Sequence, residues 1–224
     1  MKLGAELMFL NAEGRGGKRG GARRVFISAV EKKELVMVAS PDRNYMSPQE
    51  YLEWEERQDI KYEYVNGEVF AMTGGTLPHT TIALNLASAL KSHVRGGYCR
   101  AFMSDAKVAV SEGMSFHYPD VVVSCDERDR QAIKFLQYPC LIVEVLSPST
   151  EAYDRGAKFK QYRRIQTLKE YVLIDAEKIN LDCFRLNKNC IWELYSYEEG
   201  NEVYLQSVDF RFPISLVYED VFLG

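Results

Sequence analysis

Pro139-Cys140-Leu141-Ile142-Val143-Glu144-Val145-Leu146-Ser147-Pro148 is the stretch on which the reading of this chain turns. Leu141 to Leu146 is a continuous apolar run broken only by Glu144, with Pro139 before it and Ser147-Pro148 after it. A short run without alternation is the pattern of a strand buried on both faces. An ionised carboxylate inside such a strand costs on the order of several kcal/mol unless it is paired or binds a metal. A second acid stands in a similar place upstream, where Pro119-Asp120 opens the run Val121-Val122-Val123. Two acids at two core strands point to a metal site; a buried acid paired to a nearby Arg or Lys is the other reading.

Downstream of Glu144 the spacing predicts a helix from about Glu151 to Arg164. On a 3.6-residue wheel Phe159, Tyr162 and Ile165 form its apolar stripe, and Lys158 lies within that stripe. Lys160 and Arg164 point to the other side. Asp154 is one turn before Lys158 and can pair with it, which leaves a structural ion pair open as the role of this lysine. From Arg155 to Lys169 the chain carries Arg155, Lys158, Lys160, Arg163, Arg164 and Lys169 and no acid. That is a local positive patch suited to a phosphate backbone, or an ordinary solvated helix face.

Working outward, Ser47-Pro48-Gln49-Glu50 is a capping box with proline at the first helical position, and a short helix is expected through Trp54 to about Arg57. Asn66-Gly67 between Lys61–Val65 and Glu68–Met72 signals a hairpin. A helix is expected from about His79 to Val94. Strands are expected over Arg100–Met103, Ala106–Val110, Tyr118–Ser124, Leu141–Leu146 and Tyr171–Ile174, the last ending at Asp175. Two or three antiparallel strands are expected between Ile179 and Phe212. The fold class is α+β with an α/β-like core, a mixed sheet flanked by helices and antiparallel C-terminal strands.

One domain is expected over residues 44–224. Residues 1–43 are expected as a flexible extension, whose Gly/Arg-rich GRGGKRGGARR stretch carries no acid. That stretch is either a segment able to touch nucleic acid or residues upstream of the true start codon. The formal net charge of −4, from 28 Lys+Arg against 32 Asp+Glu, argues against a general nucleic-acid coat protein. There is no stretch suited to crossing a membrane and no signal-peptide pattern, so a cytoplasmic protein is expected. Cys99, Cys125, Cys140, Cys183 and Cys190 form an odd set without a C-x-x-C, expected as reduced thiols, with a zinc cluster disfavoured.

Pro119-Asp120, Glu144-Val145-Leu146-Ser147-Pro148-Ser149-Thr150, Asp154, Lys158, Tyr162, Glu170-Tyr171 and Asp175 together resemble the Uma-type family of bacterial restriction endonucleases. That family was first grouped as a domain of unknown function and belongs to the PD-(D/E)XK nuclease superfamily. The upstream Ser47-Pro48, Tyr62-Glu63, Asn66-Gly67-Glu68 and Pro78-His79 extend the likeness, which covers roughly Ser47 to Leu223. The resemblance implies a restriction-endonuclease-like fold and a metal-dependent endonuclease of DNA. It implies Asp120, Glu144, Lys158 and Glu63 as catalytic residues. Asp120, Glu144 and the Val145 carbonyl would hold Mg²⁺, with Mn²⁺ as a substitute. The usual E-x-K lysine would fall at position 146, where this chain has Leu146, so the lysine function is assigned to Lys158 on the helix.

Glu63 would complete the metal or water shell, or be a cross-strand surface acid of the hairpin. His79, after Pro78 at a helix start, suits a phosphate, or simply caps and packs. Arg155, Lys160 and Arg163 are the further candidate substrate contacts. A homodimer is implied by the need to cut two strands. The competing reading is a catalytically inactive nucleic-acid-binding or regulatory module on a nuclease fold. A serine or cysteine hydrolase finds no Gly-x-Ser-x-Gly turn or Cys/His pairing.

Overall fold

The structure, a computed structural model, describes residues 45–72 and 74–223. The extension expected over 1–43 lies outside them. The capping box forms as its spacing requires and starts α1 (Pro48–Glu55). Ser47 Oγ accepts the Glu50 N–H, and the Glu50 carboxylate accepts the Ser47 N–H at 2.7 Å. β1 (Tyr62–Val65) and β2 (Glu68–Ala71) are joined by the two-residue turn Asn66-Gly67, both with positive φ, 49° and 104°. α2 (Leu77–His93) begins two residues before its expected start, because Thr76 caps it by accepting the His79 N–H. His79 therefore lies inside the first turn and does not open the helix.

β3 (Arg100–Met103) stands as expected, and β4 (Val108–Val110) occupies the end of its expected run. The strand expected over Tyr118–Ser124 is shorter. β5 (Ser115–His117) is separate and pairs with β1 and β4, while β6 (Val121–Ser124) begins beyond Pro119. Proline has no N–H for the ladder, which separates the two at this point. The decisive run is β7 (Pro139–Leu146).

The helix expected over Glu151–Arg164 is composite. α3 (Glu151–Tyr153) leads into a wide π-helical turn, Asp154–Lys158, and then α4 (Phe159–Tyr162). β8 (Glu170–Asp175) follows. The C-terminal part holds four strands where two or three were expected: β9 (Asn180–Leu186), β10 (Trp192–Glu198), β11 (Glu202–Leu205) and β12 (Phe210–Pro213).

The main sheet has the order β10-β9-β8-β7-β6-β3. All its pairs are antiparallel except β7–β8, whose parallel pairing requires the helical crossover between them. β2-β1-β5-β4 form a second sheet and β11-β12 a two-stranded ribbon. β7 is buried on both faces, as its unbroken apolar run demands. Leu141, Val143 and Val145 face α2 and the C-terminal ribbon, while Ile142 and Leu146 face Phe159 and Tyr162 of α4. Glu144 shares the parity of the second face.

The expectation of five reduced thiols is corrected at one place. Cys99 and Cys125 form a disulfide, the next pair along the β3–β6 ladder after Arg100↔Ser124. Their apolar, strand-like contexts signal burial but not that two of them face each other across strands distant in sequence. Cys140, Cys183 and Cys190 are free.

Candidate active site

Continuing the β6–β7 register Val121↔Val143 by one step sets Asp120 beside Glu144. Asp120 Oδ2 accepts the Val145 N–H at 2.7 Å, which ties the first acid to the strand of the second. Glu144 is buried, 4% exposed, so its charge must be answered inside the protein. Its Oε1 lies 2.9 Å from Lys158 Nζ and accepts the Tyr162 hydroxyl at 3.0 Å.

Lys158 faces inward as its wheel position predicts, and it gathers a whole cluster of acids. Its ammonium is 3.1 Å from Glu63 Oε1 and 3.6 Å from Asp154 Oδ1, besides Glu144. Glu63, on β1, is buried too. Its carboxylate accepts the Tyr118 N–H at 3.2 Å and lies 3.1 Å from His117 Nδ1, whose Nε2 is 3.0 Å from Gln161 Oε1. Asp154 is thus part of the cluster. The Asp154–Lys158 pair weighed from the sequence exists, but it is the longest of the three contacts of the ammonium.

Electrostatically the acids divide. Burial raises Glu144 well above the usual carboxylate range, and Asp154, Asp120 and Glu63 push the same way against the one Lys158 ammonium. Asp154 is raised as well, chiefly by burial. Burial also acts to raise Glu63, but Lys158, His117 and the Tyr118 N–H bring it down to about 2. Lys158 is raised despite its burial, because Glu144 and Glu63 hold it charged. Were Asp120, Glu144, Asp154 and Glu63 all ionised, the Lys158 ammonium would not balance them, and a divalent cation would offset the difference.

The donors fit a hard cation: two carboxylates and the Val145 carbonyl are oxygens. Among the described residues no group of three or more His, Cys, Asp or Glu side chains is placed to hold a metal ion. Glu144 is drawn onto Lys158 and Tyr162, and would turn from them to share an ion with Asp120.

The remaining candidates divide. His79 is beside Asp120, its Nε2 3.3 Å from Oδ2. Burial lowers its pKa, but Asp120 and a backbone acceptor at Val145 raise it on balance. Arg155 is occupied by Glu151 and Asp182, each at 2.8 Å. Lys160 and Arg163 are exposed beyond the cluster, with the Arg163 guanidinium over the Phe159 ring. His117, Gln161 and the Tyr162 hydroxyl were not expected here. The Glu63–His117 contact follows from the β1–β5 register, Tyr64↔Phe116 carried one step further. That pairing joins segments about fifty residues apart, and no local pattern announces it. Tyr153, missed likewise, has a buried hydroxyl with no hydrogen-bond partner among the described residues, and Glu63, Lys158 and Asp154 act on it electrostatically.

A family model described as putative restriction endonuclease, Uma2, matches residues 48–216. The chain belongs to the Uma2 family. Two relatives from Synechocystis sp. are uncharacterized proteins. One, slr1290, is 40% identical over 77% of this chain and 91% of its own length; the other, sll1609, is 36% identical over 56% of this chain and 72% of its own. A solved structure of a putative nuclease of the DUF820 group from Anabaena variabilis superposes with a TM-score of 0.65. It has 18% identity and covers 79% of this chain and 99% of that one, a likeness of fold. This Uma2 chain thus has the expected family and the expected mixed α+β, nuclease-like fold. No helix of its described residues is long and apolar enough to cross a membrane.

Proposed function

We propose that this Uma2 protein is a divalent-metal-dependent endonuclease that hydrolyses phosphodiester bonds of DNA in the cytoplasm. The observation that carries the reading is the convergence of Glu144 from β7, Glu63 from β1 and Asp154 on the buried Lys158 ammonium, with Asp120 set beside Glu144 by the β6–β7 register. Lys158, whose Nζ lies 2.9 Å from the Glu144 carboxylate, would take the place of the E-x-K lysine that Leu146 replaces.

Asp120, Glu144 and the Val145 carbonyl would hold Mg²⁺, or Mn²⁺ in its place. Held there, it would supply an acidified water and offset charge growing on the phosphoryl oxygens. Lys158, held charged by its acids, orients the attacking water and faces the same growing charge. Glu63 fixes the lysine, with His117 and Gln161 behind it. Lys160 and Arg163, exposed on the α4 side, would meet the phosphate backbone. Two copies would be needed to cut both strands in one encounter, so a homodimer is part of the proposal.

Supercoiled plasmid incubated with Mg²⁺ or Mn²⁺ tests this, alongside calorimetric titration of each ion. Nicking and ion binding lost together in Glu144→Ala, with an unchanged circular dichroism spectrum, is the expected result. Salt-dependent DNA binding without products in the wild type would instead assign the fold to an inactive binding module.

A further inference from the structure

The Tyr153 hydroxyl is buried, has no hydrogen-bond partner among the described residues, and takes no part in the chemistry above. Its ring is half-buried. A buried polar group without a partner is uncommon in a folded protein and needs a reason. The acids that act on it are already engaged. Glu63 accepts the Tyr118 N–H and meets His117 and Lys158. Glu144 accepts the Tyr162 hydroxyl and meets Lys158. Tyr162 and Tyr171 both donate within the protein, Tyr171 to the Asp154 carbonyl. Of these three tyrosines, Tyr153 alone keeps its donor unused.

The backbone brings Tyr153 to the side of the ammonium. It stands at the entry of the π-helical turn Asp154–Lys158. Residues five apart on a regular α-helix lie about 140° apart, on opposite faces. A π turn closes from i to i+5, so Tyr153 and Lys158 come round to nearly the same face. Asp154 shares that side, its Oδ1 3.6 Å from Lys158 Nζ. The wide turn thus gathers a hydroxyl, a carboxylate and an ammonium where a regular helix would turn the tyrosine away. Burial above all, and then Glu63, Asp154 and Glu144, hold the proton on this hydroxyl against the pull of Lys158. Tyr153 is therefore a neutral donor.

We propose that Tyr153 is a catalytic residue whose hydroxyl donates to a non-bridging oxygen of the phosphoryl group that Lys158 faces. The proposal rests on the phosphodiester reading of this site. Glu144, on turning from Lys158 toward Asp120, would open the place beside the ammonium that this oxygen takes. A neutral hydroxyl answers the anionic oxygen without being drawn into the ion pairs of the cluster. It keeps its proton throughout, and its hydrogen bond strengthens as charge grows on that oxygen. A donor left unpartnered until substrate arrives serves the reaction and adds nothing to the fold.

Tyr153→Phe, which removes the oxygen and keeps the ring, tests this on the full chain beside Glu144→Ala. Supercoiled plasmid with excess protein and Mg²⁺ or Mn²⁺ gives the single-turnover rate. DNA binding is titrated without divalent ion, and thermal melts report the fold. Tyr153→Phe should cleave roughly a hundredfold more slowly. It should bind DNA within about twofold of wild type, since the loss falls on the chemical step. Its thermal midpoint should be no lower than that of wild type, because no partner is lost. Cleavage within about threefold of wild type would overturn the proposal, as would a slower rate explained by weaker DNA binding. A lowered midpoint would overturn it too, by making the hydroxyl part of the fold. In each of these outcomes the metal-dependent reading stands if Glu144→Ala abolishes nicking. A wild type that yields no products overturns that reading, and the proposal with it.

Discussion

Neutralising Glu144 and removing Lys158 should move stability in opposite directions. Glu144 is buried and surrounded by Asp120, Asp154 and Glu63, with one ammonium to answer all of them. In the metal-free protein Glu144→Gln should therefore stabilise the fold, by roughly 1–2 kcal/mol, while ending metal-dependent cleavage. Lys158→Met should destabilise it by roughly 3–5 kcal/mol, because buried carboxylates lose their cation. The pH dependence separates the acids further. Because the folded-state pKa of Glu144 lies above its unfolded value of 4.5, this group's contribution to stability falls as pH rises from about 4.5 through the raised value. Glu63, brought down to about 2 from 4.5, acts the other way: its contribution is full above 4.5 and is lost as pH falls toward 2. Urea denaturation of metal-free wild type and Glu144→Gln across pH should show the upper slope flattened in the variant and the acid limb kept. An upper slope unchanged by the substitution would show that Glu144 is not the strained acid.

At the scale of elements, the helix that delivers Lys158 departs most from its expected form. A uniform 3.6-residue wheel places Lys158 inward correctly, yet the turn Asp154–Lys158 is π-helical. The wider turn leaves the Asp154 carbonyl to accept the Tyr171 hydroxyl at 3.0 Å, an interaction from β8 that no helical periodicity contains. Gly156 sits in this turn, with nothing within 4 Å of an added Cβ and no positive φ. Gly156→Ala should therefore stabilise by about 0.5–1 kcal/mol, chiefly by restricting the unfolded chain, and should leave cleavage unchanged. Thermal melts and the plasmid assay check it; a loss of both would mean that the π turn needs glycine to aim Lys158. Elements with a local chemical signal were legible in the sequence. The Ser47–Glu50 box, the Asn66-Gly67 turn and the unbroken β7 run each form as their residues dictate. What escaped depends on pairing between distant segments: β5 against β1, which joins Glu63 to His117, and β3 against β6, which brings Cys99 to Cys125.

Across the whole molecule, the C-terminal ribbon β11-β12 shares no ladder with the main sheet, so other contacts must fix it there. One buried acid supplies several of them. Glu170, fully buried at the start of β8, accepts Arg185 Nε from β9 at 2.7 Å, and also the backbone N–H groups of Gln206 at 3.0 Å and Ser207 at 2.8 Å just beyond β11. Arg185 in turn donates to the Tyr204 carbonyl of β11 at 2.5 Å. This clamp positions Val203, Leu205 and Phe212 over the β7 face opposite Glu144, so it supports the site from behind. Glu170→Gln keeps the shape but presents amide hydrogens toward N–H donors and leaves the guanidinium without its counter-charge. The cost should be about 3–5 kcal/mol, against a smaller loss when Glu170→Leu and Arg185→Met are combined, since no buried charge is then stranded. Hydrogen exchange should show the amides of Gln206 and Ser207 losing protection before those of β7. If Glu170→Gln cost less than about 1 kcal/mol, as a surface pair would, the ribbon would be held by its apolar face alone and the clamp would be incidental.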